Sequence, residues 1–269
     1  QLEKVPIILG SATPSLESLA NVDAGKYQHL ALTQRASRAQ LPEFIALDVR
    51  NQALQAGLST ALLAEIRNHL DAGNQALLFL NRRGYAPTLQ CHDCGYIADC
   101  KHCDARLTLH RRDGQLRCHH CGWHVPTFQQ CPECHGRQLM ASGLGTERVE
   151  ETLSKEFPDL PLFRVDRDSM SRKGAMENVY QQVSLGEPCI LLGTQMLTKG
   201  HHFPDVTLVG LIDVDTALFS GDFRSPERLG QLLTQVAGRA GRGEKPGRVL
   251  LQTHYPDHPL LLTLIQKGY

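Results

Sequence analysis

Residues 189–213 read CILLGTQMLTKGHHFPDVTLVGLID. Two short apolar runs, CILLG (189–193) and TLVGLID (207–213), flank a polar stretch marked by Gly, Lys and Pro. Such runs are the buried strands of a parallel sheet, because a strand covered by helices on both faces has no polar side to show. Five more runs follow the same rule: VPIILG (5–10), FIALDV (44–49), ALLFLN (76–81), LFRVD (162–166) and RVLLQT (248–253). Amphipathic helices lie between several of them. Leu63, Ile66 and Leu70 share one face of 60–72, and Val149, Leu153 and Phe157 share one face of 146–157. Residues 174–184 and 227–237 also read as helices. Strands alternating with helices predict an α/β fold. Ligands of such sheets gather beyond the carboxyl ends of the strands. The unusual loops fall there: Ser11-Ala12-Thr13-Pro14, Asn81-Arg82-Arg83-Gly84, Gly143-Leu144-Gly145-Thr146 and Gly193-Thr194-Gln195.

The chain has 269 residues, enough for one large or two ordinary domains. Its 28 basic and 28 acidic residues balance, so global charge gives no case for nucleic acid, and any such case rests on local sites. No apolar run approaches the ~18–20 residues of a membrane helix, and no segment reads as a signal peptide. Opening without Met on QLEKVPIILG and closing on LIQKGY, the chain reads as a piece of a longer protein. The polar stretch around Ala36–Pro42 reads as a linker.

Eight of the nine cysteines lie between Cys91 and Cys134, as four knuckles: CHDC (91–94), CKHC (100–103), CHHC (118–121) and CPEC (131–134). A secreted disulfide framework spreads its cysteines through a small domain. Four CxxC pairs in one segment of a cysteine-poor chain point instead to metal in a reducing cytoplasm. Two knuckles complete one tetrahedral zinc site, so four make two closed, structural sites with no open position for water. A redox CxxC and an iron–sulfur site are the competing readings. The segment shows no apolar periodicity, so metal replaces a core. Its six histidines read as surface residues, since eight thiolates already fill two sites. LTLHRRDGQLRC turns at Asp113-Gly114, a hairpin signal that folds CHHC back towards CKHC. The pairing is then nested: Cys100, Cys103, Cys118 and Cys121 around one ion, Cys91, Cys94, Cys131 and Cys134 around the other.

No GxxxxGK[ST] phosphate cradle occurs; Gly25-Lys26 is followed by Tyr27. Yet QVAGRAGRG (235–243) presents two arginines, whose planar forks suit phosphate. Gly143 and Gly145 make only part of a dinucleotide fingerprint, because Arg148 stands where its third glycine would be. The motifs SATPS, GTQMLTKGHHFPDV, LLFLNRRGYAP and the Q-x-x-G-R-x-G-R helix end together resemble those of the superfamily 2 helicases. NRRGY followed by four knuckles, then GLGTERVEE and DFRSPERLGQLLTQVAGRAGRG, narrows the likeness to bacterial replication-restart helicases. The resemblance runs along nearly the whole chain in motif order.

That resemblance implies two RecA-like lobes closing on ATP and Mg²⁺, of which this chain carries the second and the end of the first. The implied division is 1–28 for the end of lobe 1, 29–90 and 135–269 for lobe 2, and 91–134 for the zinc-binding insertion. Arg242 is implied as the finger neutralising the γ-phosphate, with Arg239 its neighbour and Gln235 a polar contact. Ser11 and Thr13 match the coupling motif. Asn81, Arg82 and Arg83, with Thr194, Lys199 and Gly200, match the loops that touch the DNA backbone. His202 departs from the acidic or amide residue that many relatives carry. Thr146 opens a helix whose amides suit a DNA phosphate. The implied function is 3′-to-5′ ATP-dependent unwinding of forked DNA and reloading of the replication machinery in the cytoplasm. The implied partners are single-stranded and forked DNA, restart proteins and the replicative helicase loader, with no membrane. Lacking the phosphate loop and Mg²⁺ box, the chain alone is expected not to hydrolyse ATP. The alternative is a zinc-ribbon module that binds DNA or protein without motor activity, which has no need of Arg239 and Arg242 beside GTQ and NRR.

Overall fold

In chain order the elements are α1 (Leu16–Asp23), β1 (Glu43–Asp48), β2 (Leu54–Gln55), β3 (Leu58–Ser59), α2 (Thr60–Asp71), β4 (Gln75–Leu80), β5 (Leu89–Cys91), β6 (Thr108–His110), β7 (Gln115–Arg117), β8 (His124–Pro126), β9 (Leu139–Ala141), α3 (Thr146–Glu156), β10 (Leu162–Val165), α4 (Ala175–Val183), β11 (Ile190–Gly193), β12 (Val206–Ile212), α5 (Asp215–Leu218), α6 (Ser225–Ala237), β13 (Arg248–Thr253) and α7 (Pro259–Lys267). The computed structural model describes residues 5–32, 42–80, 88–110, 113–141, 146–166, 169–172, 174–194, 197, 203–220, 222–241 and 245–269. The linker reading at Ala36–Pro42 lies mostly outside those residues.

Six strands form one sheet in the order β1-β13-β12-β4-β11-β10, and every pairing in it is parallel. The apolar runs become buried because successive side chains of a strand point to opposite faces. In β4, Leu77 and Phe79 enter one core with α6 and α7, while Ala76, Leu78 and Leu80 enter the other with α2 and α3. Gly210 in mid-β12 has a specific packing reason. A Cβ there would lie 2.7 Å from Leu78 Cδ2 and 3.0 Å from Leu62 Cδ1, so its absence lets α2 settle on the sheet.

One strand expectation fails. VPIILG forms no strand, and Val5, Ile7, Ile8 and Leu9 are exposed. A strand exists only with a ladder partner, and among the described residues nothing pairs with 5–10.

The cysteine segment leaves the sheet after β4. It is closed at its neck by the antiparallel pair β5–β9, in which Cys91 faces Leu139 and Leu89 faces Ala141. Inside it, β6 and β7 form the expected hairpin, His110 opposite Gln115, and β8 adds a third strand. The segment also has a small core of its own, contrary to expectation: Leu89, Ala98, Leu107 and Leu116 are buried, with Tyr96, Trp123, Val125 and Phe128 packed around them. Three-residue strands are too short to show a period, which is why this core left no pattern in the sequence.

Candidate metal centre and arginine helix

Each CxxC knuckle opens on the same backbone turn. Cys91 N donates to Tyr96 O, Cys100 N to Ala105 O, Cys118 N to Trp123 O and Cys131 N to Gly136 O, at 2.7–3.0 Å. The fifth residue of three knuckles is left-handed: Gly95 (φ 87°), Gly122 (φ 81°) and His135 (φ 59°). That is the conformation glycine adopts without steric cost.

The turns bring the sulfurs together as two sets, Cys91, Cys94, Cys131 and Cys134, and Cys100, Cys103, Cys118 and Cys121. Within each set all sulfurs lie within 4.8 Å of one another. Cys91–Cys134 and Cys94–Cys131 are 3.7 Å apart, Cys100–Cys121 3.4 Å and Cys103–Cys118 3.5 Å. Four sulfurs held tetrahedrally at zinc's bond length stand about 3.8 Å apart, whereas a disulfide is about 2.05 Å. The donor sets therefore fit two structural zinc ions.

Backbone N–H groups point at the sulfurs, as from Tyr96 to Cys94 and from Cys121 to Cys118. The Cys121 amide is the first cause that draws the Cys118 thiol down to about 6. Burial, then the sulfurs of Cys134 and Cys131, push Cys94 up to about 12 against the Tyr96 amide. Four crowded thiols cannot all ionise without a cation among them, and Zn²⁺ is such a cation.

The outer site is tied to the sheet by residues that sequence reasoning missed. His92 is buried, at 6% exposure, and not on the surface as expected. Its Nε2 donates to Gln52 O at 2.6 Å, and its Nδ1 lies 3.0 Å from His254 Nε2. His254 Nδ1 donates to Asp215 Oδ2 at 2.7 Å, and that oxygen also accepts from His254 N and from Gln90 Nε2. Tyr255 adds a hydroxyl donated to Gly95 O. The available signal was Asp215 and His254 themselves, polar residues just beyond the carboxyl ends of the buried strands β12 and β13.

Helix α6 carries Glu227, Gln231 and Gln235 at intervals of four, which places them on one stripe. The SATPS segment lies along it. Glu227 Oε1 accepts from Leu16 N at 2.9 Å, Gln231 Nε2 donates to Thr13 O at 3.4 Å, and Gln235 Nε2 donates to Thr13 Oγ1 at 3.2 Å. Thr13 is buried, at 6% exposure, and its N–H donates to Ser11 Oγ at 3.1 Å. Tyr269 OH donates to Pro14 O at 2.6 Å, and Gly230 leaves room for its ring. Arg224 pairs with Glu17. Thus Ser11, Thr13 and Gln235 are brought together. Arg239 follows Gln235 by four residues and is buried. Gly241, at φ 65°, donates its N–H to Val206 O and lies so close to Gly247 that a Cβ would come within 2.4 Å of Gly247 N.

Arg242 lies outside the described residues, as do Asn81, Arg82, Arg83, Lys199, Gly200 and His202. Thr194 directly follows β11 and is half-buried, its N–H on Val165 O. Thr146 begins α3, but its hydroxyl is buried on Asp166 Oδ2 at 3.2 Å. What this helix start offers an anion is therefore backbone N–H. Among the described residues no helix is long and apolar enough to cross a membrane.

Residues 100–126 match the family model described as the PriA DNA helicase Cys-rich region (CRR) domain. The chain is 56% identical over 265 residues to a replication restart protein PriA of Haemophilus influenzae, covering 98% of this chain and 36% of that protein. It is 46% identical over 256 residues to the Bacillus subtilis protein of that name (94% and 32%), and 42% identical over 261 to the Rickettsia conorii one (96% and 40%). The chain thus spans about a third of the length of these relatives.

Proposed function

Because the chain belongs to the PriA family of replication restart proteins, we propose that it is the second motor lobe of an ATP-dependent DNA helicase. Residues 1–28 are the end of the first lobe, 29–90 and 135–269 the second, and 91–134 a zinc-binding insertion. The observation that carries this reading is the seam between Thr13 and Gln235. It joins a first-lobe segment to the helix that leads into Arg239 and Arg242, as a motor needs if events at the nucleotide are to be felt elsewhere.

ATP and Mg²⁺ are held by residues outside this chain. Arg242 places its guanidinium on charge developing at the γ-phosphate, with Arg239 and Gln235 beside it. Ser11 and Thr13 couple that site to DNA. Asn81, Arg82, Arg83, Thr194, Lys199, Gly200 and the amides at Thr146 hold the backbone of single-stranded DNA. Such contacts make binding salt-sensitive and nearly blind to sequence. The two zinc ions are structural: each closes its half of the insertion, which stands on the sheet as a rigid knob able to meet the strand being separated or a partner protein. The protein acts in the cytoplasm on forked DNA, moves 3′-to-5′, and with restart proteins and the replicative helicase loader rebuilds the replication machinery.

Strand-displacement assays on partial duplexes with a 3′ or a 5′ single-stranded tail test this in the intact protein. The expected result is ATP-dependent unwinding from the 3′ tail. Unwinding from the 5′ tail, or none without a defect in DNA binding, contradicts it.

A further inference from the structure

The two four-cysteine sites are held differently. The inner site touches the sheet region through Arg106, whose guanidinium lies over the Phe219 ring at 5.3 Å. The outer site is clamped on both sides of its first knuckle. Gln90, one residue before Cys91, donates to Asp215. His92, inside the knuckle, is bonded to His254 and to Gln52 O. Gly95, directly after Cys94, accepts from Tyr255, and a Cβ on it would stand 3.3 Å from both His254 and Tyr255. The Gln90 bond and the His92–His254 link converge on one carboxylate, that of Asp215. Asp215 is 4% exposed and also accepts from Thr253 and His254 at the end of β13.

We propose that Asp215, acting through His254, is a positioning residue for the outer site: the carboxylate beyond β12 holds the Cys91–Cys94 knuckle in its metal-binding shape, and so sets how long that site keeps its metal while leaving the inner site alone. The inference rests on reading the clusters as zinc sites. The physical reason is preorganisation. Two of the four sulfurs are carried by a turn with its own backbone bonds, and the sheet fixes that turn's orientation towards Cys131 and Cys134. When the clamp loosens, the knuckle samples orientations in which its sulfurs no longer converge, and the metal leaves sooner. Outer-shell partners of metal ligands affect metal affinity by about 10–100-fold. The coupling is reciprocal, so the outer metal also steadies the turn at Asp215.

The test is zinc release from the intact, zinc-loaded protein into excess chromogenic chelator, with Cys103→Ser identifying the inner phase. In Asp215→Asn the outer phase should quicken by about 10–100-fold with the inner phase unchanged, even where the midpoint of the sheet falls with the bonds to Thr253 and His254. Tyr255→Phe, which removes only the hydroxyl on Gly95 O, should quicken the same phase by less, and it carries the test if Asp215→Asn does not fold. Both phases quickening together with a lowered midpoint, or neither phase moving in the folded variants, overturns the proposal. Wild-type protein that binds fewer than two zinc ions overturns instead the zinc reading beneath it.

Discussion

Thr13→Val removes one hydroxyl from the seam and little else. Valine has nearly the shape of threonine, so no cavity forms, and the Gln231 bond to the Thr13 carbonyl does not depend on the side chain. What is lost is the 3.2 Å bond from Gln235 Nε2 to Thr13 Oγ1. A neutral hydrogen bond of this kind contributes about 0.5–1.5 kcal/mol net. Thr13 is buried and Gln235 exposed, which leaves the bond between them part-buried, so the middle of that range applies. About 1 kcal/mol is roughly a fivefold change in an equilibrium. If the bond holds the seam in the arrangement that passes DNA binding to the nucleotide, DNA-stimulated ATP turnover of the intact protein should fall about fivefold. Turnover without DNA and the affinity for single-stranded DNA should change far less. Gln235→Leu should do the same. The double variant should fall short of the sum of the two single effects by about 0.5–1.5 kcal/mol, because both changes delete one bond. Additive effects, or DNA affinity falling in step with turnover, would refute the idea that this bond couples the two sites.

Cys91→Ser with Cys134→Ser should leave about one zinc ion per chain, since both residues serve one site; metal counting that finds neither ion retained would show the sites to be interdependent. The same variant should lose unwinding more than DNA-stimulated ATP turnover, and equal loss would make the insertion a part of the lobe's stability. Gly210→Ala should destabilise the fold by about 1–3 kcal/mol through overpacking against Leu62 and Leu78, read from urea unfolding; an unchanged midpoint would mean α2 can shift freely. Raising salt should weaken single-stranded DNA binding steeply and equally across sequences, and a flat response would remove the phosphate contacts from the account.

The sheet was legible because parallel strands covered on both faces are mostly apolar: β11 is so throughout, β4 and β12 but for Gln75 and Thr207, and β13 at its Val249–Leu251 centre. The knuckle pairing was legible because one tight turn at Asp113-Gly114 decides it. VPIILG misled because an apolar run specifies burial only where a neighbouring strand can bond to it. α7 escaped notice although Pro259 and its leucines mark a helix start, since a run of leucines suits a buried strand equally well. His92, His254 and Asp215 could not be joined in advance. Asp215 and His254 lie 123 and 162 residues beyond His92 along the chain, and a buried histidine looks like a surface one until the fold supplies its partners. Thr13 and Gln235, 222 residues apart, meet for the same reason: contacts between distant polar side chains leave no local period.

The central claim is that the helix end after Gln235 delivers an arginine to a phosphate held elsewhere. Its most direct measurement is ATP turnover with saturating single-stranded DNA by the intact protein and by its Arg242→Ala variant, with DNA binding measured in parallel. The account predicts that turnover falls by about 10³–10⁵-fold while DNA binding persists. Near-normal turnover in the variant, or DNA binding lost along with it, would contradict the claim.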